Sequence, residues 1–193
     1  MVSLAKGQAV SLEKAGSPLT RAVMGLGWDV RKAKGLSRMF GGGGDDAIDL
    51  DASCLLFDRT GRLLDTVWFA QLKSRDGSIV HTGDNLTGEG DGDDEQIRVD
   101  LGAVPAEVVT LVFTVSSFRG DTFDRIENAY CRLLDAGSGT EMARFNLSGG
   151  GSHTGQIMAK LTRGGSGWTM KAIGEPTRGR TVQDILPAVS AHL

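Results

Sequence analysis

The residues best equipped for chemistry lie in one stretch, Gly83-Asp-Asn-Leu-Thr-Gly-Glu-Gly-Asp-Gly-Asp-Asp-Glu95. It holds six carboxylates, Asp84, Glu89, Asp91, Asp93, Asp94 and Glu95, and no base. These six are a quarter of the 24 acidic residues; without them the 21 lysines and arginines would outnumber the acids. Carboxylates crowded into a compact loop repel one another. Either the loop stays extended in water, or a cation neutralises it. Gly83, Gly88, Gly90 and Gly92 permit sharp turns that aim carbonyls and side chains at one point. Calcium takes six to eight oxygens at roughly 2.3–2.6 Å in a tolerant geometry, whereas magnesium keeps several waters. Oxygen donors without a nearby cysteine select these hard cations over zinc or copper. His81 adjoins the loop, and one imidazole does not change that selection.

The stretch is not an EF-hand. Counted from Asp84, its third and fifth positions are Leu86 and Gly88, which carry no side-chain oxygen, and its sixth is Glu89 where that motif needs glycine. A phosphate cradle over Gly88–Gly92 fails because the anion would meet six carboxylates.

The elements that position this loop read as strands. Ile48, Leu50, Ala52, Cys54 and Leu56 alternate onto one face, with Asp49, Asp51 and Ser53 beginning the other. Turn signals at Asp58–Gly61, Arg75–Gly77, Asp135–Gly139 and Arg163–Gly167 separate apolar runs at Leu64–Ala70, Ile79–Val80, Ile97–Leu101, Val108–Ser116, Asn128–Leu134, Met142–Leu147, Gln156–Thr162 and Trp168–Ile173. About nine strands result. Only Thr181–Val189 reads as a helix, with Pro187 near its end as an objection. The expectation is an all-β, antiparallel β-sandwich with few short helices, forming a single domain over residues 1–193.

Composition narrows the function. A net charge of −3 supplies no broad positive field for nucleic acid. No apolar run approaches the length of a transmembrane segment, and the first residues lack the apolar stretch of a secretory signal. The chain therefore reads as cytoplasmic. Cys54 and Cys131 sit inside apolar strands and read as buried free thiols. Arg31, Lys32, Lys34 and Arg38, followed by Gly41–Gly44, read as a solvated loop that could touch anionic lipid or a partner.

The long acidic motif resembles the signature of the TerD family of tellurite-resistance and stress-response proteins. Leu4–Leu12 is similar to that family's first strand, Gly25-Leu-Gly-Trp-Asp29 to its next element and Ile48-Asp-Leu-Asp-Ala-Ser53 to a core strand. Phe123–Leu133 and Gly167–Gly174 follow in the expected order. The resemblance implies a calcium-binding β-sandwich with metal held by acidic loops at one end. It implies ligands among Asp84, Asn85, Glu89, Asp91, Asp93, Asp94 and Glu95, with Asp29 and Asp51 approaching the same end and Asn128 as a weaker candidate. Two ions are expected, because the acids exceed what one ion needs. On their own residues, Asp29 also reads as a turn cap and Asp51 as an exposed strand position.

The resemblance further implies a role in tellurite and chemical-stress resistance, with proteins of the same operon as partners at the inner membrane surface. Three functions stay in contention: a calcium-dependent binding module without catalysis, a metal-dependent hydrolase or oxyanion reductase, and an acidic loop that binds nothing. A hydrolytic metal needs an open position and a base, and separated buried cysteines are poor reductants. The binding module is the expectation.

Overall fold

Two segments, Asp51–Phe57 and Thr110–Ser116, are buried at every position. Segments apolar or small on both sides belong in the centre of a covered sheet. The structure, a computed structural model, places them there and describes residues 2–14, 16–30, 48–83, 92–147 and 151–193.

The strands in chain order are β1 (Val2–Ser3), β2 (Ala9–Ser11), β3 (Glu13–Lys14), β4 (Ser17–Pro18), β5 (Arg21–Val30), β6 (Asp51–Phe57) and β7 (Leu63–Val67). There follow β8 (Ile79–His81), β9 (Glu95–Asp100), β10 (Thr110–Ser116), β11 (Ile126–Asp135), β12 (Glu141–Asn146), β13 (Gly155–Gly164) and β14 (Gly167–Thr177). One sheet runs β1-β12-β11-β5-β9-β8 and the other β2-β14-β13-β10-β6-β7, with a small β3–β4 ladder beside them. Pairing is antiparallel except for β1 against β12. The fold is thus the antiparallel, all-β sandwich that the turn spacing predicts.

Met24, Leu26, Cys131 and Leu133 of the first sheet meet Cys54, Leu56, Leu111 and Phe113 of the second in one apolar interior. The alternation read over Ile48–Leu56 is real: those five residues all join that interior. Leu55 and Phe57 point the other way, where helix α1 (Val182–Val189) covers them with Val182, Ile185 and Val189. Thr181 caps α1 in a reciprocal box with Asp184, and Pro187 is accommodated within it. No described helix is long and apolar enough to cross a membrane.

Three details depart from the sequence reading. Fourteen strands are present among the described residues where about nine are expected, because short pieces such as Val2–Ser3, Glu13–Lys14 and Ser17–Pro18 also pair. The run Leu64–Ala70 ends as a strand at Val67, because Trp68 and Gln71 close a tight turn by exchanging backbone hydrogen bonds. Arg21–Val30 is a central strand that alternation does not reveal. It is buried from Ala22 to Trp28 and carries Gly25 and Gly27 where polar residues would mark an outer face.

Candidate metal centre

Strand register gathers the acidic stretch and its neighbours at one end of the sandwich. Leu26 of β5 pairs with Glu95, His81 of β8 with Ile97, and Val30 with Ile126. The far end of the acidic stretch therefore enters β9 beside the ends of β5 and β8 and the start of β11. The start of β6 lies at the same end, since the backbone N–H of Ala52 donates to Glu95 Oε2 at 2.6 Å.

Glu95 has the parity of Ile97 and Val99 and turns inward, 1% exposed. His81 Nε2 stands 3.4 Å from the same Glu95 oxygen. The Gly83 N–H donates to His81 Nδ1 at 3.1 Å, so that nitrogen serves as an acceptor while Nε2 faces the carboxylate.

Asp94 caps the end of β5. Its N–H donates to the Leu26 carbonyl at 2.8 Å, and its Oδ2 accepts the Trp28 N–H at 2.9 Å. Burial holds its carboxyl above the ordinary carboxylate range. The Trp28 N–H opposes that rise, and the charges of Asp29 and Asp93 add to it. Asp29 is exposed at the penultimate position of β5, so it is a strand residue and not a turn cap. Asn128 donates its amide to Asp29 Oδ2 at 2.7 Å. Asn128 itself has φ of 56° at an irregularity in the β11–β5 pairing, a left-handed conformation that asparagine tolerates better than most side chains.

Asp93 turns onto the outer face of the first sheet. Arg132 Nε donates to its Oδ1 at 2.7 Å, and Gln96 Nε2 to its Oδ2 at 3.2 Å. Asp51 belongs to the second sheet, at the first position of β6. It is 5% exposed, which corrects its reading as an exposed strand position: its face of β6 is covered. Asp84, Asn85, Glu89 and Asp91 lie outside the described residues, as do Arg31, Lys32, Lys34, Arg38 and Gly41–Gly44. Among the described residues no three carboxylate, imidazole or thiol groups converge closely enough to hold an ion by themselves.

Sequence reasoning overlooked His81 as a structural partner, and it overlooked Tyr130 and Arg132 altogether. The parity of Glu95 with Ile97 and Val99 could have placed Glu95 inside, next to any inward group of the adjoining strand. Nothing local in the chain signals that Arg132 faces Asp93.

Comparison with other proteins gives the family. Residues 1–186 match the model of the TerD domain. The chain belongs to the TerD family. It is 53% identical over 187 residues to a tellurium resistance protein TerZ of Serratia marcescens, covering 96% of this chain and 95% of that one. It is 41% identical to the stress response protein SCP2 of Bacillus subtilis (strain 168), covering 96% and 97% respectively. A tellurium resistance protein TerD of Serratia marcescens is 38% identical, covering 92% of each chain. Among solved structures, a homologue of telluride resistance protein (TerD) from Streptomyces coelicolor A3(2) shares the TerD fold. Its TM-score is 0.69 and its identity 19%, over 87% of this chain and 95% of that one.

Proposed function

We propose that this TerD-family chain is a calcium-dependent interaction module acting in resistance to tellurite and other chemical stress. The observation that carries the calcium part is the position of Asp94, held against β5 at the acidic end of the sandwich. A partly buried carboxylate sits beside the charges of Asp29 and Asp93 at the mouth of a six-acid stretch. A divalent cation would remove that repulsion and would supply the centre on which the loop oxygens converge. Asp94 and Asp29 from the described residues, joined by Asp84, Asn85, Glu89 and Asp91, are the donors we assign. Glu95 and Asp51 stand behind them at the same end. The surplus of acids is consistent with two ions.

The stress-response part rests on the family. Relatives matching nearly the whole chain bear tellurium-resistance and stress-response names. We place the protein in the cytoplasm, acting through other proteins of the resistance system at the membrane surface and not through nucleic acid. We assign it no catalysis. Both thiols are buried and free, which disfavours a cysteine-based reductase.

Melting the metal-stripped protein with calcium and, separately, with magnesium tests the proposal. Native-state binding at a hundredfold excess over Kd stabilises by about 2.7 kcal/mol. Calcium should raise the midpoint by several degrees, magnesium by less, and Asp94→Asn should reduce the calcium shift. An unshifted wild-type midpoint, or an undiminished shift in Asp94→Asn, would remove the basis for the assignment.

A further inference from the structure

Asp93 and Asp94 are neighbours in the acidic stretch, yet their surroundings differ in kind. Gly25 and Gly27 point away from the core along β5, so the outer surface of that strand is bare. A Cβ at Gly25 would stand 2.1 Å from Asp93 Oδ2, and one at Gly27 would stand 2.5 Å from Tyr130 Cζ. The two glycines therefore form a trough that holds the Asp93 carboxylate and the Tyr130 ring.

The Asp93 side chain has no exposed surface. A carboxylate so enclosed needs a charged partner and hydrogen bonds to offset its lost hydration. It has both, from Arg132 at 2.7 Å and Gln96 at 3.2 Å. Beyond Arg132 the contacts continue. Arg132 Nη1 reaches Glu141 Oε2 at 3.3 Å, and Arg144 grips the same Glu141 with Nε and Nη2, each at 2.8 Å. The Arg144 guanidinium lies 4.0 Å over the Tyr130 ring, and the Tyr130 hydroxyl donates to the Gly92 carbonyl at 2.7 Å. The chain of contacts closes on itself, with two anions and two cations in balance.

We infer that Asp93 is a positioning residue: its carboxylate latches the last turn of the acidic stretch to β11 and β12 through Arg132, and it is not a calcium ligand. The inference refines the calcium assignment, but the latch consists of contacts made without metal. It divides the acidic stretch into a part that receives a cation and a part that fixes where the strand begins.

The experiment is a double-variant cycle in the full chain, Asp93→Asn, Arg132→Gln and both together. It is read by melting in chelator and by calorimetric calcium titration. Each single variant should lower the metal-free midpoint, and the double should lose no more than the larger single. All three should keep the wild-type calcium stoichiometry with affinity within tenfold. Losses that simply add, or a missing ion or an affinity drop beyond tenfold in Asp93→Asn, would overturn the inference. A wild-type chain that binds no calcium would defeat the calcium reading alone, because the chelator cycle would still judge the latch. Should Asp93→Asn fail to fold, Tyr130→Phe keeps the ring and removes only the hydroxyl. It should speed amide hydrogen exchange across Gly92–Asp94, and unchanged exchange there would count against the latch.

Discussion

Glu95 of one sheet accepts the backbone N–H of Ala52 of the other at 2.6 Å, deep inside the sandwich. This bond ties the two sheets together at the end where the acidic stretch enters β9. Removing the carboxylate would leave a buried N–H without its acceptor, a loss of about 1–3 kcal/mol. Glu95→Ala should lower urea stability by that amount. Glu95→Gln, which keeps an acceptor oxygen, should cost less than half as much. Equal losses in the two variants would show that the charge, and not the acceptor, is what matters.

Gly25→Ala and Gly27→Ala add a methyl group where the nearest atoms already lie 2.1 Å and 2.5 Å from its ideal position. Neither glycine has a positive φ, so the effect is packing and not backbone strain. Overpacking of this kind costs about 1–3 kcal/mol. Chemical denaturation should show both variants destabilised within that range. A neutral Gly25→Ala would mean that Asp93 readily leaves its seat.

Both thiols should be inert in the native state. Burial pushes the Cys131 thiol up to about 12, and burial with a smaller contribution from Asp65 pushes Cys54 up as well. A thiol reagent at neutral pH should label neither cysteine in buffer and both in denaturant. Rapid labelling in buffer would contradict their burial and would reopen a reductase reading.

Acid should weaken the fold through identifiable groups. Asp135 accepts hydrogen bonds from Lys14, Ser138 and the Gly137 N–H, which hold its carboxyl well below the ordinary range. Asp58, bonded first by the Thr60 hydroxyl and then by the Arg62 N–H, falls to about 2. A carboxyl depressed in the folded state lends stability above its unfolded pKa, near 3.8, and loses it as pH falls toward the folded value. Stability should therefore decline between about pH 4 and pH 2, and Asp135→Asn should flatten that decline. An unchanged slope would remove Asp135 from the account.

Much of this fold is legible in the chain. Period-two alternation over Ile48–Leu56 places those side chains inside, and each glycine-bearing turn signal falls between two strands. β5 escapes that reading because alternation needs a polar face to contrast with an apolar one, and glycine supplies none. The acidic stretch raises the expectation of a cation, but its spacing does not show which of its acids would hold one. Glu95 shares the parity of its strand and goes inward. Asp93 is claimed by an arginine 39 positions away in the chain, a pairing that only the β11–β5–β9 register creates.

The central claim is that the acidic end binds calcium, and calorimetric titration of the chelator-stripped chain tests it most directly. The account predicts at least one calcium per chain, bound more tightly than magnesium and weakened in Asp94→Asn. No heat of binding at millimolar calcium, in protein shown to be folded, would contradict it.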